Sequence, residues 1–354
     1  MLRVCGGLIL ALLVAGCANL AYYTQAVSGH FALMYAKRPI QEVMADPVTD
    51  PALKTRLVEA QAIRDFASRE LALPDNGSYR AYVDLGRPYV VWNVFAAPEF
   101  SVKAEQWCML IVGCVNYRGF YEQERAEQLA REMRQQGFDT YVSGVPAYST
   151  LGFFDDPLLN TFLRFDEIEV ARLIFHELAH QRVFARDDSV FNESFATTVE
   201  NEGVNRWLAR RNPNALPAFA ARQARKSQVA ELVAEYRGKL AEAFAAEPTV
   251  AAKQQAKTAV MAEMQGAYTD LKASWGGYSA YDKWFGEGLN NARIASLALY
   301  TQLVPAFEAL LVAEDRDLPR FFRRVEVLAA MNKEERQTAL NDLLAASRRV
   351  GLAD

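Results

Sequence analysis

The chain holds only three histidines, and two of them sit four apart in His176-Glu177-Leu178-Ala179-His180. On a helix, positions four apart share one face, so both imidazoles can point at a single metal ion. Glu177, one step round, then stands beside that ion as a general base, which is the logic of the H-E-x-x-H zinc motif. Zinc supplies what water lacks at neutral pH, by lowering the pKa of a coordinated water to about 7. The chemistry implied is hydrolysis, with one Zn2+ held by His176 and His180. The third histidine, His30, lies far upstream. A downstream histidine therefore cannot complete the site, and a carboxylate should. The competing explanation, two solvated histidines on a surface helix, needs polar neighbours. Leu173-Ile174-Phe175 and Leu178-Ala179 are apolar instead. A buried Glu177 without a partner would be strongly unfavourable.

The elements that must position these residues can be read outward from the motif. Asp166 followed by Glu169 reads as a D-x-x-E helix start, and residues 181–190 read as a helix end and turn. A second helix is expected from about Phe191 to Arg211, stopped by Asn212-Pro213. Glu193, Ala196, Thr197 and Glu200 fall on one of its faces. Ala196 is small enough to let the two helices approach closely, and Glu193 could then complete a two-His, one-Glu site. Asp187 and Asp188 are rival ligands in the connecting turn, where a turn and helix cap would also suit them. Glu200 is spaced either to orient a ligand histidine or to be an ordinary helix-face glutamate.

Asn192-Glu193-Ser194-Phe195-Ala196 resembles the N-E-x-F-A stretch that supplies the glutamate ligand in gluzincin aminopeptidases, although residues 181–192 make a shorter gap. Over most of its length the chain resembles the family of bacterial lipoprotein aminopeptidases. The resemblance is carried by Trp107-Cys108, Gly113-Cys114-Val115-Asn116-Tyr117-Arg118-Gly119-Phe120, Gly144-Val145-Pro146-Ala147-Tyr148-Ser149-Thr150-Leu151-Gly152 and Phe154-Asp155-Asp156-Pro157, together with the metal motifs. It implies a zinc-dependent aminopeptidase acting on peptides. A small sheet ahead of the metal helix, followed by a helix bearing the glutamate, is the order of a zincin. In such folds an edge strand pairs with the substrate backbone. The stretch 144–152 holds the corresponding place, so Ala147, Tyr148 and Ser149 are candidate substrate residues. Acyl transfer also needs a donor for the developing oxyanion. Gluzincins often use a tyrosine or histidine for this, which points to Tyr278 or Tyr281 in Gly276-Gly277-Tyr278-Ser279-Ala280-Tyr281. An aminopeptidase further needs an acid for the substrate ammonium, and Glu200, Asp155, Asp156 and Glu287 all qualify. An endopeptidase for envelope proteins and a non-catalytic zinc-binding lipoprotein are the alternatives.

The N-terminus bears on location. Met1-Leu2-Arg3 precedes a short apolar run and Val14-Ala15-Gly16-Cys17. This reads as a secretory signal over residues 1–16, too short to span a membrane. Val-Ala-Gly-Cys resembles a bacterial lipobox, which makes Cys17 the lipidated residue. Ala18 after Cys17 favours the outer membrane of a Gram-negative bacterium, facing the periplasm. Contact with the membrane is expected through the lipid alone, since no other segment reads as about eighteen uninterrupted apolar residues. Cys108 and Cys114 then remain as an even pair in an oxidising compartment. That suggests a disulfide closed by a turn near Val112-Gly113, with two buried thiols as the alternative.

A formal net charge of −4 argues against a nucleic-acid footprint. With 354 residues, 51% of them hydrophobic, the chain can build a full core. The overall expectation is an α+β, predominantly helical domain with a zincin-like core, a small sheet and a long helical C-terminal part. Its mature portion, 17–354, divides into an N-terminal helical and strand part (17–118), a metal-binding core (119–211) and a helical part (212–354). Within these, helix is expected over 51–71, 122–136 and most of 214–274, and strands over 89–95, 108–112 and 139–143.

Overall fold

The computed structural model describes residues 22–109, 113–286 and 288–350. A first helix, α1, spans 22–35. After it come β1 (Arg38–Pro39), α2 (Ile40–Ala45), α3 (Pro51–Leu71), β2 (Ala81–Val83), β3 (Val91–Pro98), β4 (Trp107–Met109), β5 (Gly113–Val115) and β6 (Arg118–Phe120). The chain continues through α4 (Gln123–Gln135), β7 (Phe138–Val145), β8 (Leu158–Leu159), α5 (Asn160–Leu163), α6 (Glu167–Arg182) and α7 (Ser189–Arg211). It ends in helices α8 (Leu216–Ala246), α9 (Val250–Ser274), α10 (Asp282–Gly286), α11 (Asn291–Thr301), α12 (Val304–Ala313), α13 (Leu318–Ala330) and α14 (Lys333–Val350). The fold is α+β and mainly helical, with sheets of two or three strands.

Local chemistry sets the boundaries of the elements that matter. Helix α6 starts where the Asp166 carboxylate accepts the N–H of Glu169, and α7 where Asp188 accepts the N–H of Phe191. Helix α3 has Asp50 as its cap and Pro51 as its first residue, where the missing N–H costs nothing. The central sheet runs β6-β3-β7, antiparallel throughout, with β3 and β7 in register from Val91↔Val145 to Pro98↔Phe138. Among the described residues strand β7 has one strand neighbour and so presents an edge. A second small sheet joins β1, β2 and β8, with β2 and β8 parallel.

The core gathers α3, α6, α7, α12 and α13 around Phe66, Phe175, Phe195, Phe307, Phe321 and Phe322. Each such ring contributes roughly 1.5–3 kcal/mol by leaving water. Helices α6 and α7 press close together. A Cβ at Gly203 of α7 would stand 2.6 Å from the Phe175 ring of α6, so no larger residue fits there. A separate cluster holds the α8–α9 hairpin together through Val233, Leu240, Met264 and Tyr268.

Two expectations need correction. The strand read over 108–112 ends at Met109, and the chain returns through β5, pairing Cys108 with Cys114; residues 110–112 lie outside the described residues. Gly113 takes φ +76° at the return, a conformation that favours glycine. Among the described residues one segment, Asn291–Ala313, is long and apolar enough to cross a membrane. In the fold it is α11 and α12, interrupted at Gln302-Leu303. Ile294, Leu299, Phe307 and Leu310 are buried within it, so its hydropathy serves the core.

Candidate metal centre

His176 and His180 lie in the last turns of α6, and Glu193 in the first turns of α7, all three less than a tenth exposed. Their ligand atoms converge. His176 Nε2 lies 3.2 Å from His180 Nε2 and 3.2 Å from Glu193 Oε2, and His180 Nε2 lies 3.6 Å from Glu193 Oε2. Donors held about 2.0–2.2 Å from a tetrahedral ion stand roughly 3.3–3.6 Å apart, so this triangle has about the size that an ion requires. These residues can hold a metal ion.

The electrostatics agree with the geometry. Burial alone would raise the Glu193 carboxyl, yet the charges and hydrogen bonds of His180 and His176 hold it down at about 2. Burial alone would lower His176, yet hydrogen bonds to Glu193 and Glu200 push it up to about 10. Both shifts express a demand for positive charge among the donors. Glu177 is raised above the usual carboxyl range, first by burial and further by the nearby Glu193.

Glu200, two helical turns beyond Glu193, lies behind His176. Its Oε2 accepts from His176 Nδ1 at 2.9 Å and from Arg172 Nη1 at 3.0 Å, and Lys226 of α8 approaches Oε1 at 3.3 Å. The bond to Nδ1 fixes the ring so that Nε2 faces the other donors. Burial opposes the Glu200 charge, but Arg172 and Lys226 hold its carboxyl well below the usual range. His180 Nδ1 has no corresponding acceptor among the described residues.

The loop between the two metal helices is fastened by its own side chains. Asn192 accepts the N–H of Ala185 at 2.7 Å and donates to its carbonyl at 2.8 Å. That reciprocal pair ties residues 185–192 into a compact turn and accommodates the short gap. Neither rival ligand is free for metal. Asp187 has φ +65° and accepts the N–H of Cys114 at 2.6 Å, while Asp188 caps α7 and pairs with Arg336 at 2.6 Å. The Cys108–Cys114 disulfide thus secures a hairpin that braces this loop.

A cavity of about 610 Å³ opens over the ligands. Ser143, Gly144, Val145 and Pro146 at the end of β7 line it, followed by Ala147, Tyr148 and Ser149, so the three candidate substrate residues are brought to the site. Tyr148 accepts a hydrogen bond from the Tyr121 hydroxyl and shares another with His30 Nδ1, both contacts at 2.9 Å. Tyr278 and Tyr281 are not brought there. Tyr281 packs on Trp275, Arg225 lies over the Tyr278 ring, and both belong with the α8–α9 hairpin. The hydroxyls near the donors belong to Tyr117 and Tyr300, which line the cavity; the Tyr300 ring centre is 6.5 Å from that of His176. Burial, then the charges of Glu193 and Glu177, raise both phenols, so they remain donors at neutral pH. Tyr117 falls inside a stretch already conspicuous in the sequence, whereas Tyr300 has only a hydroxyl within an apolar helix to mark it. Asp155 is exposed, Asp156 is buried behind the cavity wall, and Cys17 and Glu287 lie outside the described residues.

The family model described as "Putative aminopeptidase" matches residues 21–340. The chain belongs to this family. The match covers the metal helices, the β7 edge and the helices that carry Tyr300 and Lys226, and supports a peptidase role. No curated protein and no solved structure matches the chain.

Proposed function

We propose that this chain is a zinc-dependent peptidase of the zincin type that cleaves peptides in the periplasm, tethered to the outer membrane through a lipid on Cys17. The observation that carries the reading is the triangle of His176 Nε2, His180 Nε2 and Glu193 Oε2, sized for one ion on a helix that also bears Glu177. Two imidazoles and one carboxylate with a cavity in front are a donor set for catalytic zinc rather than structural zinc, which takes four protein ligands. When bound, zinc would polarise the scissile carbonyl and make water a competent nucleophile near neutral pH.

The remaining work falls to the protein. Glu177 takes a proton from the attacking water and delivers it to the departing amine. Tyr300 or Tyr117 donates its phenolic hydrogen to the oxyanion. The edge at Ser143–Ser149 aligns the substrate backbone, and Glu200 keeps His176 in place.

Action at a free N-terminus is the reading favoured by the family. One observation favours an endopeptidase instead. The carboxylates lining the cavity among the described residues are Glu177, Asp188, Glu193 and Glu200. Glu177 serves as the base, Glu193 belongs to the donor triangle, Glu200 is engaged by three basic groups and Asp188 by Arg336, which leaves none for a substrate ammonium. Matched peptides with free and acetylated N-termini separate the two. An aminopeptidase loses the blocked substrate, and an endopeptidase cleaves both. Metal analysis of the purified chain tests the zinc assignment. One zinc per chain, lost in Glu193→Ala together with turnover, is expected, and full turnover after zinc is stripped would overturn it.

A further inference from the structure

Helix α1 has one face inside the protein and one that the protein leaves bare. On the inner face Tyr22 and Ala26 line the cavity, the buried Gln25 bonds to Gly119 and Tyr121, and His30 meets Tyr148. On the outer face Val27, Phe31 and Tyr35 follow at four-residue spacing, 54%, 45% and 86% exposed. Phe153 and Phe154 extend this patch, at 69% and 44%, with the Phe154 ring 4.5 Å from His30. A helix on a protein surface ordinarily turns charged residues to water. Here no Asp, Glu, Lys or Arg occurs between Arg3 and Lys37, so the bare face carries apolar and aromatic side chains with a few small or neutral ones. Charge resumes with Lys37 and Arg38, where Lys37 holds the carbonyl of Asp155 and Arg38 pairs with Asp46; Asp155 itself is exposed beside Phe154.

We propose that this stripe is a membrane-docking face, and that its occupant is the surface of a phospholipid bilayer. The assignment rests on the lipoprotein reading for its geometry. Residues 18–21 alone separate Cys17 from α1, and five residue steps span at most about 18 Å, so a lipid on Cys17 would hold α1 at the headgroups. An uncharged helix face bearing Phe and Tyr suits that zone, where aromatic rings settle. Because the same helix lines the cavity with Tyr22 and Ala26, docking sets the pocket rim beside the membrane.

The test uses a chain beginning at Ala18, which keeps every described residue and carries no lipid. It is sedimented with vesicles of phosphatidylethanolamine and phosphatidylglycerol. The unsubstituted chain should partition to the vesicles, and the Phe31→Ser, Tyr35→Ser double variant should bind roughly tenfold less or weaker still. Neither side chain lines the cavity, so equal cleavage of a soluble peptide by both chains shows that the fold is intact. Equal partitioning of both chains, or no partitioning of the unsubstituted one, overturns the docking face. So does a dimer without vesicles that the double variant abolishes, because a second copy would then be the occupant. Lipidation is read separately from the mass of the mature N-terminus, so failure of the anchor and failure of the stripe give different results.

Discussion

Two carboxyl groups are buried to the same depth around the pocket, and the protein treats them in opposite ways. Glu200 is 1% exposed and Asp156 2%. Around Glu200 the fold gathers Arg172 from α6, Lys226 from α8 and the His176 ring, and its carboxyl stays ionised. Asp156 accepts the N–H of Thr150 and lies near the Gln181 amide, but makes no salt bridge among the described residues, and its Oδ1 has no partner. Burial pushes it up to about 7. Depth therefore does not decide charge; the cations within reach do. A fixed anion stands where it orients His176, a candidate metal ligand, and its cations come from the helices before and after its own.

Removing the anion should have the largest effect. Glu200→Gln leaves Lys226 and part of Arg172 uncompensated and His176 without its charged acceptor. A loss of about 3–5 kcal/mol in denaturant unfolding is expected. Metal affinity, measured by chelator competition, should fall about 10–100-fold. Wild-type values in both would erase the distinction between the two sites. On the same side of the pocket, Tyr300→Phe should lower kcat by about 10²-fold with KM little changed, while Tyr281→Phe leaves both alone. Equal losses would return the oxyanion role to the hairpin tyrosines. Lys226→Met should be milder, because Arg172 still holds Glu200, and a drop of roughly a few-fold in metal affinity is expected.

Asp156→Asn sharpens the other half of the comparison and should act least at neutral pH on a soluble peptide. The folded-state value of Asp156, about 7, lies above the unfolded value of about 3.9. Its contribution to stability is therefore complete below about pH 4 and is lost as the pH rises through 7. Melting temperatures at pH 5 and pH 8 should differ less in the variant than in the wild type, with the variant gaining at pH 8. Parallel profiles would mean that Asp156 is ionised throughout.

Much of the site was legible because its signals are local. The i, i+4 histidines and the helix cap at Asp166 need nothing beyond helical spacing, and the N-E-x-F-A stretch pointed to Glu193 by resemblance. The tyrosines that line the cavity, candidates for the oxyanion donor, were not legible in the same way. Gly276-Gly277-Tyr278 follows two long helices and offers a tyrosine for that role, yet Tyr278 and Tyr281 pack beside Trp275 and do not line the cavity. Helix α11, reached only after α10, packs against α7 and β3 and brings Tyr300 to the donors. The same helix, with α12, matches a membrane span in composition, because core helices and spans share the need to bury apolar surface. The cations of Glu200 could not be read from spacing either, since Lys226 lies on a helix whose path is set by tertiary packing.

The central claim is that the α6–α7 donors hold a catalytic metal with Glu177 as its base, and Glu177→Gln tests it most directly. Metal content and peptide turnover would be measured on the same preparation. The account predicts an unchanged metal content of one ion per chain and turnover lowered by roughly 10²–10⁴-fold. Undiminished turnover in a fully metal-loaded variant would contradict it.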